Sequence, residues 1–316
     1  MSNHSKAILI VITSGLIWSF GPLVVKNMTD PQIYQLPYLV IRGLTVTTII
    51  SCYLLINEGS PFLKRIIKID QTTMIGGMCL TTAFLGFIYS ISYTTAAVTL
   101  FMLALMPFLA SIIAYIFLSE KISIQNLISM IVALIGTIIM VYASSFSGSM
   151  FGLVMGFISS LGFAAFSVTL RSKSDFKKFY ILVYGGIFCA LISLTLMIIQ
   201  EQSFFIPLKN IFLSISHGAI VASGLILFSI GSKQLLSGEL TMLSLLEVVG
   251  GIFWAWLPIL GINEIPSINT IIGGIVICIA IAMNSYRFDK KRLENLTRLL
   301  DLLHPRKLKK YQNLEF

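Results

Sequence analysis

Ten separated apolar stretches run through this chain, at 7–26, 34–56, 74–92, 96–118, 124–143, 151–170, 179–199, 211–231, 239–260 and 268–285. A helix needs roughly 20 apolar residues to cross about 30 Å of hydrocarbon, and it satisfies its own backbone while doing so. The runs are continuous and rich in Ile, Leu, Met, Phe and Ala, without the short alternating segments of a β-barrel. With 56 % hydrophobic and 11 % charged residues among 316, and a mean hydropathy of +0.92, the chain has too little polar surface for a water-soluble globule of this size. The pattern predicts an all-α integral membrane fold of ten transmembrane helices. The first stretch is kept as a helix, because Trp18, Phe20, Gly21 and Pro22 stand where a cleavable signal peptide needs small residues.

The second five stretches read as a rewritten copy of the first five. LALMPFLASIIAYIFLSEKI in stretch 4 and LSLLEVVGGIFWAWLPILGINEI in stretch 9 both break an apolar run with Pro or Gly and end on a glutamate, which makes Glu120 and Glu264 counterparts at an offset of 144. Trp18 pairs with Phe163, and Lys26 with Arg171, at an offset of 145. A five-helix unit has an odd number of crossings, so the second copy enters the membrane upside down, giving inverted repeats at 7–143 and 151–285 followed by a basic tail at 286–316.

Lysine and arginine set the orientation, since short loops rich in them stay cytoplasmic. Lys6, Lys64, Arg65, Lys68, Lys121, Arg171, Lys173, Lys177, Lys178 and Lys233 fall on one side, and only Lys26 and Lys209 on the other. Both termini are therefore predicted to be cytoplasmic. Much of the net charge of +9 lies in the tail, at Arg287, Lys290, Lys291, Arg292, Arg298, Arg306, Lys307, Lys309 and Lys310. Such a segment meets anionic lipid headgroups or is simply solvated; no nucleic acid is implied. Cys52, Cys79, Cys189 and Cys278 lie inside predicted helices with no CxxC spacing and read as small core residues. Richness in Ile, Lys and Asn, with no organelle targeting signal, points to a bacterial inner membrane.

In GLIWSFGPLVVK of stretch 1, the arginine of LVIRGL in stretch 2, MPFLASIIAYIFLSEKI, and LLEVVGGIFWAW followed by NEIPSINTIIGG, the chain resembles the EamA-type transporters of the drug/metabolite transporter superfamily. The likeness runs to about Asn284. It departs at Val248, where that family often has a proline after the glutamate position. The resemblance implies a ten-helix bundle with a central cavity lined mainly by helices 1, 3, 4, 6, 8 and 9. It also implies transport of small polar metabolites, amino-acid derivatives or nucleoside-like compounds. No cofactor is expected. The individual substrate and the oligomeric state stay open.

Glu247 is the one carboxylate well inside a stretch. An ionised group near the bilayer centre costs about 2.5 to 3.5 kcal/mol on insertion scales, so it faces a cavity or a partner. It is a candidate to bind a cationic group of the substrate, to carry a coupling proton, or to pair with a neighbouring helix. Arg42 is the only basic residue deep in a stretch, and it either anchors an anionic group or bonds to backbone carbonyls. Trp18, Tyr89, Tyr93, Met106, Phe163, Phe228 and Trp254 lie on the helices expected to line the cavity, with Tyr89 and Tyr93 on one face at i, i+4.

An intramembrane enzyme would need polar residues gathered at one depth. His4 and His304 are in the tails and His217 stands alone near the start of stretch 8. A channel filter or carboxylate ring is not visible. An enzyme, or a receptor or structural membrane protein, is the alternative to transport.

Overall fold

Helices account for the ordered secondary structure of the computed structural model, which describes residues 2–59, 61–67, 70–94, 96–142, 149–173, 177–257 and 267–285. The basic tail with its expected lipid contact, Pro258 of stretch 9 and Glu264 just beyond that stretch lie outside these residues.

In chain order the helices are α1 Asn3–Trp18, α2 Gly21–Lys26, α3 Gln35–Glu58, α4 Pro61–Arg65, α5 Gln71–Tyr93, α6 Ala96–Leu103, α7 Met106–Leu118, α8 Ile124–Tyr142, α9 Met150–Arg171, α10 Lys177–Ile199, α11 Leu208–Gly231, α12 Ser237–Ser244, α13 Leu246–Trp256 and α14 Ile268–Ser285. Side chains start several of them: the Ser2, Asp70 and Ser149 oxygens accept from the backbone N–H of Ser5, Thr73 and Gly152, satisfying donors that a helix N-terminus leaves free.

Eight described helices are long and apolar enough to cross a bilayer: Asn3–Lys26, Gln35–Glu58, Gln71–Tyr93, Val98–Leu118, Met150–Arg171, Lys177–Ile199, Leu208–Gly231 and Ile268–Ser285. Of the ten expected stretches, the fifth supplies a shorter apolar helix over Ile124–Ile139, and the ninth is divided between α12 and α13. The outer surface carries exposed Ile112, Ile116, Phe117, Ile135, Leu191 and Ile279, among other large apolar side chains, as a protein solvated by lipid requires.

Three stretches are interrupted in mid-run. Between α1 and α2 the Phe20 N–H reaches back only three residues to Ile17 O, just before Pro22, which has no N–H to give. Between α6 and α7 the Leu105 N–H bonds to Met102 O in the same tight form, ahead of Pro107. Between α12 and α13, Leu245 N–H to Met242 O and Val248 N–H to Leu245 O make the turn with no proline at all.

The helices before residue 143 pack mainly on those after 149. α5 lies on α9 and α10, α3 on α10 and α11, α1 on α11, and α7 on α9 and α12. Small residues allow this closeness. A Cβ on Gly43 would sit 2.7 Å from Gly186 O, and one on Gly162 would sit 2.7 Å from the Ala83 nitrogen. Hydroxyls bond across the seams, Ser14 to Gly224 O, Thr81 to Gly185 O and Ser159 to Ala83 O, each at 2.9 Å.

Polar bonds gather loops into two groups. One group contains Arg171 with Glu120, Lys173 with Asp70, His4 with Glu239, and Glu58 with Arg65 and Tyr180. The other joins Thr29 with Asn210 through two bonds at 2.9 Å, Gln32 with Ser92 O at 3.2 Å, and the Ser149 N–H with Tyr93 O at 3.2 Å.

Candidate functional site

A cavity enclosing about 530 Å³ of non-atom space, open solvent included, lies inside the bundle. Its wall is Trp18 from α1, Arg42 from α3, Ala83, Phe84 and Phe87 from α5, Leu103 from α6, Met106 from α7, Ser159 and Phe163 from α9, His217, Val221 and Leu225 from α11, and Glu247 from α13. Trp18, Met106 and Glu247 stand next to the three helix interruptions. A break in an otherwise regular helix brings irregular backbone to where it lines a cavity instead of lipid.

The aromatic side is built on packing. The Trp18 ring meets Phe163 edge-on at 5.5 Å and lies 5.3 Å from Phe228, while its Nε1–H donates to Val221 O at 3.3 Å. Phe228 is fully buried behind Trp18 and Phe163, and Phe166 stacks on it at 6.3 Å. It therefore supports the wall without forming it.

The polar side holds three groups. The Arg42 guanidinium lies 4.4 Å above the Phe84 ring, a cation–π contact that orients its plane. Arg42 is 3 % exposed, and its Nε and Nη1 have no hydrogen-bond partner. His217 is 2 % exposed and its Nδ1 is hydrogen-bonded to the Tyr38 hydroxyl at 2.8 Å. Glu247 faces the same space; no Arg42 nitrogen comes within the 4.0 Å of an ion pair to it, and no hydrogen bond holds its carboxyl among the described residues.

Of the residues singled out from the sequence, Trp18, Arg42, Met106 and Glu247 converge on this cavity, together with Phe163. Tyr89 and Tyr93 do share a face, with nearly parallel rings 6.5 Å apart, but Phe151 packs edge-on against both and their face is not part of the cavity wall. Trp254 stacks on Phe20 at 4.2 Å and donates from Nε1 to Ser19 Oγ at 2.7 Å, tying α13 to the interruption between α1 and α2. Sequence reasoning missed Phe84, Phe87 and Ser159, and set His217 aside as solitary. Its Tyr38 partner lies 179 residues away in the chain, and no local signal announces it.

At one end of the bundle Arg171 Nε donates to Glu120, and its Nη1 donates to Ser232 O at 3.0 Å. The other Glu120 oxygen accepts the Ser237 N–H at 2.9 Å, at the start of α12. Asp70 accepts from Lys173 and from the Thr73 N–H at 2.8 Å. Partial burial works to raise the Asp70 carboxyl, but these bonds outweigh it and bring it to about 2.

Residues 5–142 match the model of the EamA-like transporter family. A solved crystal structure described only as that of a protein superposes with a TM-score of 0.70 at 16 % identity, covering 88 % of this chain and 96 % of its own. At that identity the likeness is one of fold. No curated protein matches the sequence. The chain is a multi-pass membrane protein by the length and apolar character of its helices, and over residues 5–142, less than half of its length, it is similar to the EamA-like transporter family.

Proposed function

We propose that this protein is a secondary transporter that moves a small polar or amphipathic metabolite, an amino-acid derivative or a nucleoside-like compound, across a bacterial inner membrane by alternating access. Two five-helix halves, 7–143 and 151–285 in opposite orientation, rock about the cavity. Ten crossings place both termini in the cytoplasm. The supporting pattern is in the loop contacts. Each polar group described above joins segments that ten alternating crossings put on a single side, with the Arg171, Lys173 and Arg65 group on the lysine-rich face.

The observation that carries the reading is the convergence of three interrupted helices on a cavity holding an unpartnered arginine and a carboxyl. A group buried without a partner inside a membrane protein is kept where a solute or a proton supplies one. Glu247 is then the residue that binds the cationic part of the cargo or takes the coupling proton. Purified protein in liposomes, offered a panel of labelled metabolites with and without a pH gradient, tests this. Accumulation of a solute that depends on Glu247 supports transport. Binding of solutes with no flux under any gradient returns the protein to a receptor role.

A further inference from the structure

We infer that Arg42 is the anion anchor of the cavity and that the cargo is a zwitterion, its anionic group on the Arg42 N–H donors and its cationic group at Glu247. This rests on reading the cavity as the cargo site and adds the charge pattern of what fills it.

Three polar groups that act on Arg42 or share its cavity are already engaged. The Tyr38 hydroxyl is bonded to His217, the Cys189 thiol to Leu39 O, and the Ser159 hydroxyl to Ala83 O. Of the acids near enough to act on the Arg42 charge, namely Cys189, Tyr38 and Glu247, only Glu247 is a carboxylic acid, and it stays beyond ion-pair distance. Leaving a buried donor unmatched is costly, and more so when the donor is charged. A purely structural arginine would cap helix carbonyls, as Arg171 does at Ser232 O. Arg42 instead holds Nε and Nη1 free, with its plane steadied by Phe84. A planar anion takes two parallel hydrogen bonds from either of two guanidinium edges, Nε with Nη2 or Nη1 with Nη2, and each edge carries one of these free donors.

Arg42 is a base and Glu247 an acid, and both line the cavity without forming an ion pair. A bound anion alone would leave Glu247 unmatched, and a bound cation alone would leave Arg42 unmatched. A molecule bearing both charges satisfies both ends at once, and its middle meets Trp18, Phe87, Met106 and Phe163. A site with a buried polar group discriminates strongly against an analogue lacking the matching group, because the protein group is then left bare.

The test uses the full chain purified in detergent and two matched probe sets. One is leucine, its methyl ester and 4-methylpentanoate; the other is phenylalanine, its methyl ester and 3-phenylpropionate. Within at least one set the zwitterion is expected to bind at least tenfold more tightly than both relatives. Arg42→Gln should erase the advantage over the ester, Arg42→Lys should retain part of it, and Glu247→Gln should erase the advantage over the acid. Phe84→Leu, which leaves every charge in place, should give an intermediate loss. An ester that binds as tightly as its zwitterion, or no binding in either set, overturns the inference, and both results come from the unmodified protein even if the Arg42 variants misfold. Selective binding without flux in liposomes keeps the inference and refutes transport. Flux of a solute indifferent to Arg42→Gln does the reverse.

Discussion

Arg171 and Arg42 are both arginines on long apolar helices, yet the protein satisfies only the first. Arg171 sits at the end of α9, where Glu120 and Ser232 O take its donors and Glu120 in turn holds the start of α12. Arg42 sits within α3, stacked on Phe84, with two donors unmatched and Glu247 out of reach across a cavity. The ends of the helices lie near water, and there the chain closes its charges on itself. Inside the bundle it leaves one basic and one acidic group on the wall of a single cavity. Charge used to hold the fold and charge kept for a ligand are thus separated in space, and each region should fail in its own way when altered.

The largest expected effect is on function at the cavity. Glu247→Gln should lower flux driven by a pH gradient at least tenfold, equivalent to about 1.4 kcal/mol or more, while leaving the elution profile and thermal midpoint of the purified protein unchanged. Unaltered flux across the gradient would remove Glu247 from the coupling step.

Next comes Glu120→Gln, where the reverse is expected. The pair is only partly exposed, at 23 % for Arg171 and 13 % for Glu120. Loss of its charge-assisted bonds should therefore lower stability by about 2 kcal/mol, read as a drop in thermal midpoint in detergent. A variant as stable as the parent would show that this end is no more satisfied than the cavity, and the contrast would fail.

Trp254→Phe sharpens the boundary between the regions. It keeps an aromatic ring on Phe20 and removes the donor to Ser19. It should cost about 1 kcal/mol of stability and leave the preference among cavity ligands intact. A changed preference would bring Trp254 into the site.

The smallest effect belongs to Asp70. Its carboxyl is held at about 2, below an ordinary 3.8, so its contribution is full above pH 4 and is lost as pH falls through 2. The side chain is half exposed, and solvent weakens the pair. Asp70→Asn should cost about 0.5 kcal/mol at neutral pH, and the difference from the parent in a thermal series should vanish toward pH 2. A constant difference throughout would detach the effect from the Lys173 pair.

Much of this contrast can be read in the sequence, and the reasons it stops are physical. Glu247 and Arg42 stand out because a charge inside an apolar stretch is costly wherever it points. Trp18 and Met106 are expected at the cavity only because the resemblance puts their helices around it; the structure adds that both stand beside prolines, Pro22 and Pro107, which interrupt helices by removing a backbone donor. The interruption at Leu245 has no such marker; the residue often proline in the family is Val248, yet the helix turns there all the same. Tyr89 and Tyr93 show a different limit. Their spacing correctly makes them neighbours, but helical periodicity does not say which way a shared face looks, and theirs looks to Phe151. His217 and Phe84 become part of a site only when α3, α5 and α11 meet, which is a property of tertiary packing.

The account stands most directly on the cavity's being open to each side of the membrane in turn. Met106→Cys in a chain freed of Cys52, Cys79, Cys189 and Cys278 puts one thiol on the cavity wall. Membrane-impermeant maleimide applied separately to right-side-out and inside-out vesicles should label it from both faces, and a bound solute should slow both reactions. Labelling from one face only, however long the exposure, would contradict the account.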